Sequence, residues 1–178
     1  MYVPTVFSGT EGRYGPFRDM HDIAYMEWQH SLINLFANEH AGRMIWKGHP
    51  KDRTEVDIDV RGVIVARHSK FEEMLDDADI YVFDYISTAF NVAAATSNPI
   101  IYFDIGLRNI NENALEVIKE RCVYVKADPR NPEKAYKDLS GVITKQCSNS
   151  YTSRFSLSPG SPKRAEVIAS VVEGFIID

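Results

Sequence analysis

The chain is predicted to be an α/β protein built on a doubly wound parallel sheet of about six strands. Two stretches carry most of this prediction. Ile80–Asp84 and Ile100–Phe103 are near-continuous apolar runs without period-2 alternation, as expected of strands covered on both faces in a parallel sheet. Between them lie a polar turn, Tyr85–Thr88, and a short small-residue helix, Ala89–Ser97, so Asp76–Asp104 is a βαβ unit. Along the rest of the chain, short apolar runs alternate with helical stripes, which is the third observation.

Taken in order, Tyr2–Phe7 opens the chain as a strand, with Pro4 moving its first half toward an edge or entry segment. A glycine-rich loop follows, in which Gly9, Gly12 and Gly15 recur among Ser8, Thr10, Arg13 and Arg18. Such a loop can bring backbone N–H groups to a ligand, and an ordinary surface loop accounts for it equally well. Met20–Asn38 carries a helical stripe through Met20, Ile23, Ala24, Trp28, Leu32, Leu35 and Phe36. Arg43–Lys47 is a second strand, ended by the turn Gly48-His49-Pro50, and Gly62–Ala66 is a third.

Ser69 and Glu72 have the spacing of a capping box, which starts a helix over Lys70–Asp77 and leads into the central unit. After Phe103, a loop with Asp104, Gly106 and Arg108 precedes a helix at about Glu112–Glu120 and a strand, Cys122–Lys126. Asn131-Pro132 opens a further helix as N-cap and first-turn proline, with the stripe Ala135, Leu139, Val142 and Ile143. Lys145–Gly160 lacks any period and is a long loop. A last helix starts at Ser161-Pro162 and carries Ala165, Ile168, Ala169, Val172, Phe175 and Ile176 on one face. The simplest strand order for this alternation is the nucleotide-binding one, with ligands seated beyond the C-terminal strand ends. Four turns fall there: Ser8–Gly15, Gly48–Pro50, Arg67–Ser69 and Tyr85–Thr88.

At 178 residues, with 44% apolar and 25% charged residues, the chain is one soluble domain or one half of a larger enzyme. Acids and bases are mixed and the net charge is −5, so no basic stripe suggests a nucleic-acid partner. No apolar run is long enough to span a membrane, and the start lacks a signal-peptide pattern. Cys122 falls in a predicted strand and Cys147 in a polar loop, as in a reduced cytoplasmic protein.

Ser87 and Thr88 stand where a strand passes into a helix, and unpaired N–H groups attract anions at such a place. Helix capping explains the same residues without a ligand. Asp84 and Tyr85 end an apolar strand with a charge and a phenol, which implies either a ligand or a hydrogen-bonding duty. His49 has a backbone restricted by Pro50 and can contact a phosphate or pass a proton; capping the turn is its plainer role. His68 has the same two readings, and His21, His30 and His40 are given none.

Arg13, Arg18, Arg108, Lys163 and Arg164 are candidate anion partners, or solvated surface charges. Lys163 and Arg164 stand out, because a cation in the first turn of a helix opposes the helix dipole. No spacing of His, Cys or carboxylates suggests a metal, and no cofactor is expected.

In order along the chain, YVPT, KGHP, HSKFEEMLDDADIYVFDYIST, SNPIIYFD and GSPKRAEVI resemble the C-terminal half of the CDP-glycerol glycerophosphotransferases of teichoic-acid synthesis and the related capsule-polysaccharide glycosyltransferases. The resemblance implies a Rossmann-like domain, the donor-binding C-terminal half of a GT-B architecture, spanning residues 1–178. It implies a CDP-, CMP- or UDP-linked donor, a polymer or lipid-linked acceptor, and transfer of a sugar or glycerol phosphate in cell-surface polymer synthesis. The missing N-terminal half would supply the acceptor side and a peripheral attachment at the inner face of the membrane.

On this resemblance His49 falls on a functionally important histidine, Asp84, Tyr85 and Ser87 on a donor-phosphate turn with Thr88 beside them, and Arg164 on a terminal arginine. Ser8, Gly9, Arg13, His68 and Lys163 are further donor contacts to consider. Ile86 departs from the pattern by replacing a serine. A sugar-nucleotide 2-epimerase and a non-catalytic α/β binding domain remain alternatives.

Overall fold

The chain's first strand is central to its sheet. Strand β1 (Tyr2–Val3) pairs in parallel with β2 (Met44–Lys47) on one side and with β4 (Tyr81–Phe83) on the other. With β3 (Val63–Ala66), β5 (Ile100–Asp104) and β6 (Val123–Lys126), the order is β3-β2-β1-β4-β5-β6, parallel throughout. This is the nucleotide-binding order expected of a doubly wound Rossmann-like sheet. The computed structural model describes residues 1–7, 20–39, 44–50 and 58–139. The expected loop at 145–160 and the last helix lie outside them.

Of the two places Pro4 allowed for the first half of the opening strand, an edge or an entry segment, the edge is excluded by the strand's pairing on both sides. Pro4 has no N–H to donate, so the strand stops before it rather than moving outward. What remains, Tyr2–Val3, is fully covered.

Alternate residues of the strands feed two separate cores, one on each face, except in the edge strand β3, where Ile64 and Val65 are exposed. Tyr2, Trp46, Val82, Ile101, Phe103 and Val125 join α1 (Asp22–Glu39) and α4 (Pro132–Leu139). Val3, Ile45, Tyr81, Phe83, Ile100 and Tyr102 join a 3₁₀ helix (Phe71–Asp77), α2 (Thr88–Ala94) and α3 (Glu112–Arg121). The absence of alternation in the central strands follows directly, since both sides of each strand are packed.

On α1 the buried stripe runs through Tyr25, Trp28, Leu32, Ile33 and Phe36, whereas Ile23 is 69% exposed and lies off the stripe. Trp28 meets Phe103 edge-on at 5.5 Å between ring centroids. Asn131 caps α4 as expected, accepting from the Lys134 N–H at 3.2 Å.

The capping box at Ser69 does not form. The helix is 3₁₀ rather than α, Lys70 takes the N-cap position, and no side chain caps it. Phe71, buried against the rings of Tyr81 and Phe83 at 5.7 and 6.1 Å, anchors the segment instead. Packing of one aromatic residue overrides the local capping signal.

Candidate functional site

Two clefts open at the C-terminal edge of the sheet, and the start of α2 is the ridge between them. The first, of about 240 Å³, lies where strand order reverses between β1 and β4. Its walls come from the end of β1 (Pro4, Thr5), the end of β2 (Lys47–Pro50), the start of the 3₁₀ helix and the β4–α2 turn (Ser87, Thr88). The second, of about 680 Å³, is lined by Tyr85, Ile86, Ser87, Thr88 and the β5–α3 loop around Arg108. Ser87 and Thr88 face both.

The local sequence explains this ridge. Ser87 has an extended backbone (φ −123°, ψ −179°), and its Oγ accepts from the Phe90 N–H at 3.4 Å, so it is the N-cap of α2. Thr88 is the first helical residue and is exposed to the clefts. Ile86, which stands where the resembled family has serine, is half-buried against the second core. Its carbonyl accepts from Arg108 Nη1 at 3.2 Å, and the Arg108 guanidinium lies over the Tyr85 ring at 5.8 Å. Arg108 therefore fastens the β5–α3 loop to the turn.

His49 is half-buried and lines the switch-point cleft with Ser87 and Thr88, which come from a strand end about forty residues further on. Gly48 beside it permits this approach. A Cβ there would stand 2.8 Å from two ring carbons of Trp46, and the Gly48 N–H bonds the Ala66 carbonyl at 3.0 Å. Trp46 is itself fixed, donating to Gln29 Oε1 at 3.2 Å with Arg67 over its face at 5.3 Å.

Asp84 is placed differently. It is fully buried, and its carboxylate accepts from Tyr2 Oη at 2.5 Å and Tyr25 Oη at 3.0 Å, lining neither cleft. Of the two duties the sequence allowed, the structure shows the hydrogen-bonding one. Burial, and then the charge of Asp84, push the Tyr2 phenol well above its ordinary range. His68 is exposed on the β3 side and lines neither cleft. Ser8, Gly9, Arg13, Arg18, Lys163 and Arg164 lie outside the described residues.

Lys47 was passed over in the sequence and is the notable addition. It closes β2, is 2% exposed and lines the switch-point cleft. Burial lowers its pKa, while the charge of Glu72 acts the other way. The available signal was a lysine ending an apolar strand just ahead of Gly48-His49-Pro50.

The arrangement defines a Rossmann-like α/β domain whose switch-point cleft gathers a buried ammonium, an imidazole and the hydroxyl residues Thr5, Ser87 and Thr88. Neither protein-family models, nor curated proteins, nor solved structures yield a match to this chain. No helix among the described residues is long and apolar enough to cross a membrane.

Proposed function

We propose that this domain binds the nucleotide-activated donor of a two-domain transferase that moves a sugar or glycerol phosphate in cell-surface polymer synthesis. One observation carries the reading. The switch-point cleft brings His49, Ser87 and Thr88 together from separate segments, at the place where α/β sheets of this order bind ligands. In this reading the donor's phosphates occupy that cleft, with the hydroxyls of Ser87 and Thr88 donating to phosphoryl oxygens. His49 positions the leaving phosphate or exchanges a proton with it. Arg164 and the acceptor-binding half would complete the site.

A second reading, a non-catalytic α/β binding domain, draws support from Asp84 and Ser87, whose bonds to Tyr2, Tyr25 and Phe90 stabilise the fold by themselves. An epimerase needs carboxylates poised in the cleft. Among the described residues Glu72 is the carboxylate that lines it, and it is exposed.

A thermal-shift panel of CDP-glycerol, CMP, UDP and GDP-sugars separates these readings. Ligand at ~100 times its dissociation constant adds about 2.7 kcal/mol of stability. The transferase reading expects a shift with at least one nucleotide, reduced in His49→Ala and Ser87→Ala. No shift with any of them sinks it in favour of the binding domain.

A further inference from the structure

Lys47 poses a physical problem that the described residues do not solve. Lysine is almost never fully buried unless paired, because an ammonium loses its hydration on entering the interior. Lys47 is 2% exposed, and its Nζ donates to the Gly48 carbonyl at 2.7 Å, one of three N–H bonds it can offer. Among the described residues no carboxylate forms an ion pair with it; the paired lysines are Lys70 with Glu73 and Lys119 with Glu116. The stem of a lysine can fill apolar space while its head snorkels to water, but here the head is covered too.

The location narrows the explanation. Lys47 ends the strand next to β1 and lines the switch-point cleft, where Thr5, His49, Ser87 and Thr88 are the neutral or titratable side chains with donors. Lys70 and Glu72 are the other charged groups lining the cleft, and both are exposed. Of the polar side chains lining that cleft, all but the Glu72 carboxylate carry hydrogens that can be donated to an anion.

We infer that Lys47 Nζ is the counter-charge of a phosphoryl site in the switch-point cleft, contacting the phosphate or diphosphate of the bound ligand directly. This rests on the reading of the cleft given above and names the atom that supplies its positive charge. An incoming phosphate provides the directly paired anion that Lys47 lacks among the described residues, where Glu72 acts on it without an ion-pair contact. The phosphate's interaction with a buried ammonium is little screened by solvent. The lowered Lys47 pKa agrees, since it records burial without full compensation.

The test uses inorganic pyrophosphate and CDP as probes in calorimetric titrations of the wild-type chain, Lys47→Met and Lys134→Met. Lys47→Met is expected to weaken pyrophosphate binding roughly ten-fold or more, the loss typical of a charge-assisted hydrogen bond. Lys134→Met, removing an exposed lysine of α4 that lines neither cleft, is expected to change it by less than about two-fold. As a measurement free of folding effects, the Lys47 ε-carbon resonance of the wild-type chain is followed by NMR through a pH titration; pyrophosphate should raise its pKa.

Binding within two-fold of wild type in Lys47→Met, or an ε-carbon pKa indifferent to pyrophosphate, overturns the assignment and leaves the nucleotide reading standing. Pyrophosphate binding that depends on Lys47, without any binding of CDP, supports the assignment and counts against a cytidine-linked donor. No binding of either probe to the wild-type chain overturns the assignment, and the donor reading then stands or falls on the full nucleotide panel.

Discussion

Tyr2 Oη and Asp84 Oδ2 meet at 2.5 Å in the interior, across 82 positions of sequence. Tyr25 Oη donates to the other carboxylate oxygen at 3.0 Å and accepts from the Thr5 N–H at 2.9 Å. The bonds join the strands that flank the switch point, β1 and β4, to α1 beneath the cleft. A buried carboxylate with two phenolic donors is a satisfied group, and removing one donor exposes the cost of its burial.

Tyr2→Phe should therefore destabilise the domain by about 1–3 kcal/mol, the range for a buried polar group that loses its partner. Asp84→Ala should cost at least as much, because two tyrosine hydroxyls then lose their acceptor. A double-mutant cycle by urea denaturation measures the pair directly. A coupling below ~0.5 kcal/mol, the level at which independent sites simply add, would show that the contact contributes nothing specific.

Alkaline pH should act on the same interior. Tyr2, Tyr81, Tyr102 and Tyr124 all have raised pKa values, with burial as the leading cause in each. Their unfolded value is 10.0, so above about pH 10 the unfolded chain releases protons that the folded chain retains. Stability from these groups is fully present below that pH and falls as pH rises past it. Lys47 has the opposite sign. Its folded pKa is lowered from 10.5, so the unfolded chain holds more protons over that window and stability gains as pH rises toward 10.5. Denaturant midpoints across the alkaline range, paired with phenolate absorbance, check this. Tyrosines that ionise fully near pH 10 in the folded protein would contradict it.

The division between what the sequence revealed and what it hid follows the range of the interactions. The sheet was legible because packing on both faces suppresses alternation in Ile80–Asp84 and Ile100–Phe103, a property local to each strand. The central place of β1 was not, since Pro4 read alone suggests an edge and only pairing with β2 and β4 corrects it. Ser69 failed as a cap because the burial of Phe71 fixes the segment. At the site, His49, Ser87 and Thr88 were legible from turns at strand ends. Asp84 was ambiguous because its partners lie 82 and 59 residues away. Lys47 was hidden because a lysine is taken as surface until the fold is known.

Arg121 provides a separate test of how α2 is held in place. It is fully buried, and its guanidinium donates to the carbonyls of Ala94 (3.0 Å), Ala93 (3.3 Å), Thr96 (2.9 Å) and Asn98 (3.0 Å). A cation at the C-terminal end of a helix also complements the helix dipole. Arg121→Met keeps much of the volume and removes every guanidinium donor; the Ala93 carbonyl still accepts from the Thr96 N–H and Oγ1, but those of Ala94, Thr96 and Asn98 lose this donor, which should cost roughly 2–3 kcal/mol. Arg121→Lys should rescue only part, because an ammonium cannot span the fork of the guanidinium. Hydrogen exchange should show faster opening of α2 in both variants; unchanged protection would mean that other contacts hold the helix.

Ser87 allows capping and ligand binding to be separated in one position. Its Oγ accepts from the Phe90 N–H at 3.4 Å, a long bond, and the same residue faces both clefts. Ser87→Ala should lower stability by about 1 kcal/mol, the usual cost of losing an N-cap. Ser87→Asp should restore that stability, because aspartate caps as well as serine and its charge suits the first turn. The two variants diverge in binding. A carboxylate on the ridge repels phosphoryl oxygens, so Ser87→Asp should lose any nucleotide-induced thermal shift while remaining as stable as wild type without ligand. Ser87→Ala should retain part of the shift through Thr88 and the remaining donors. A Ser87→Asp protein whose thermal shift with nucleotide matches wild type would place the anion elsewhere and leave Ser87 with capping as its whole duty.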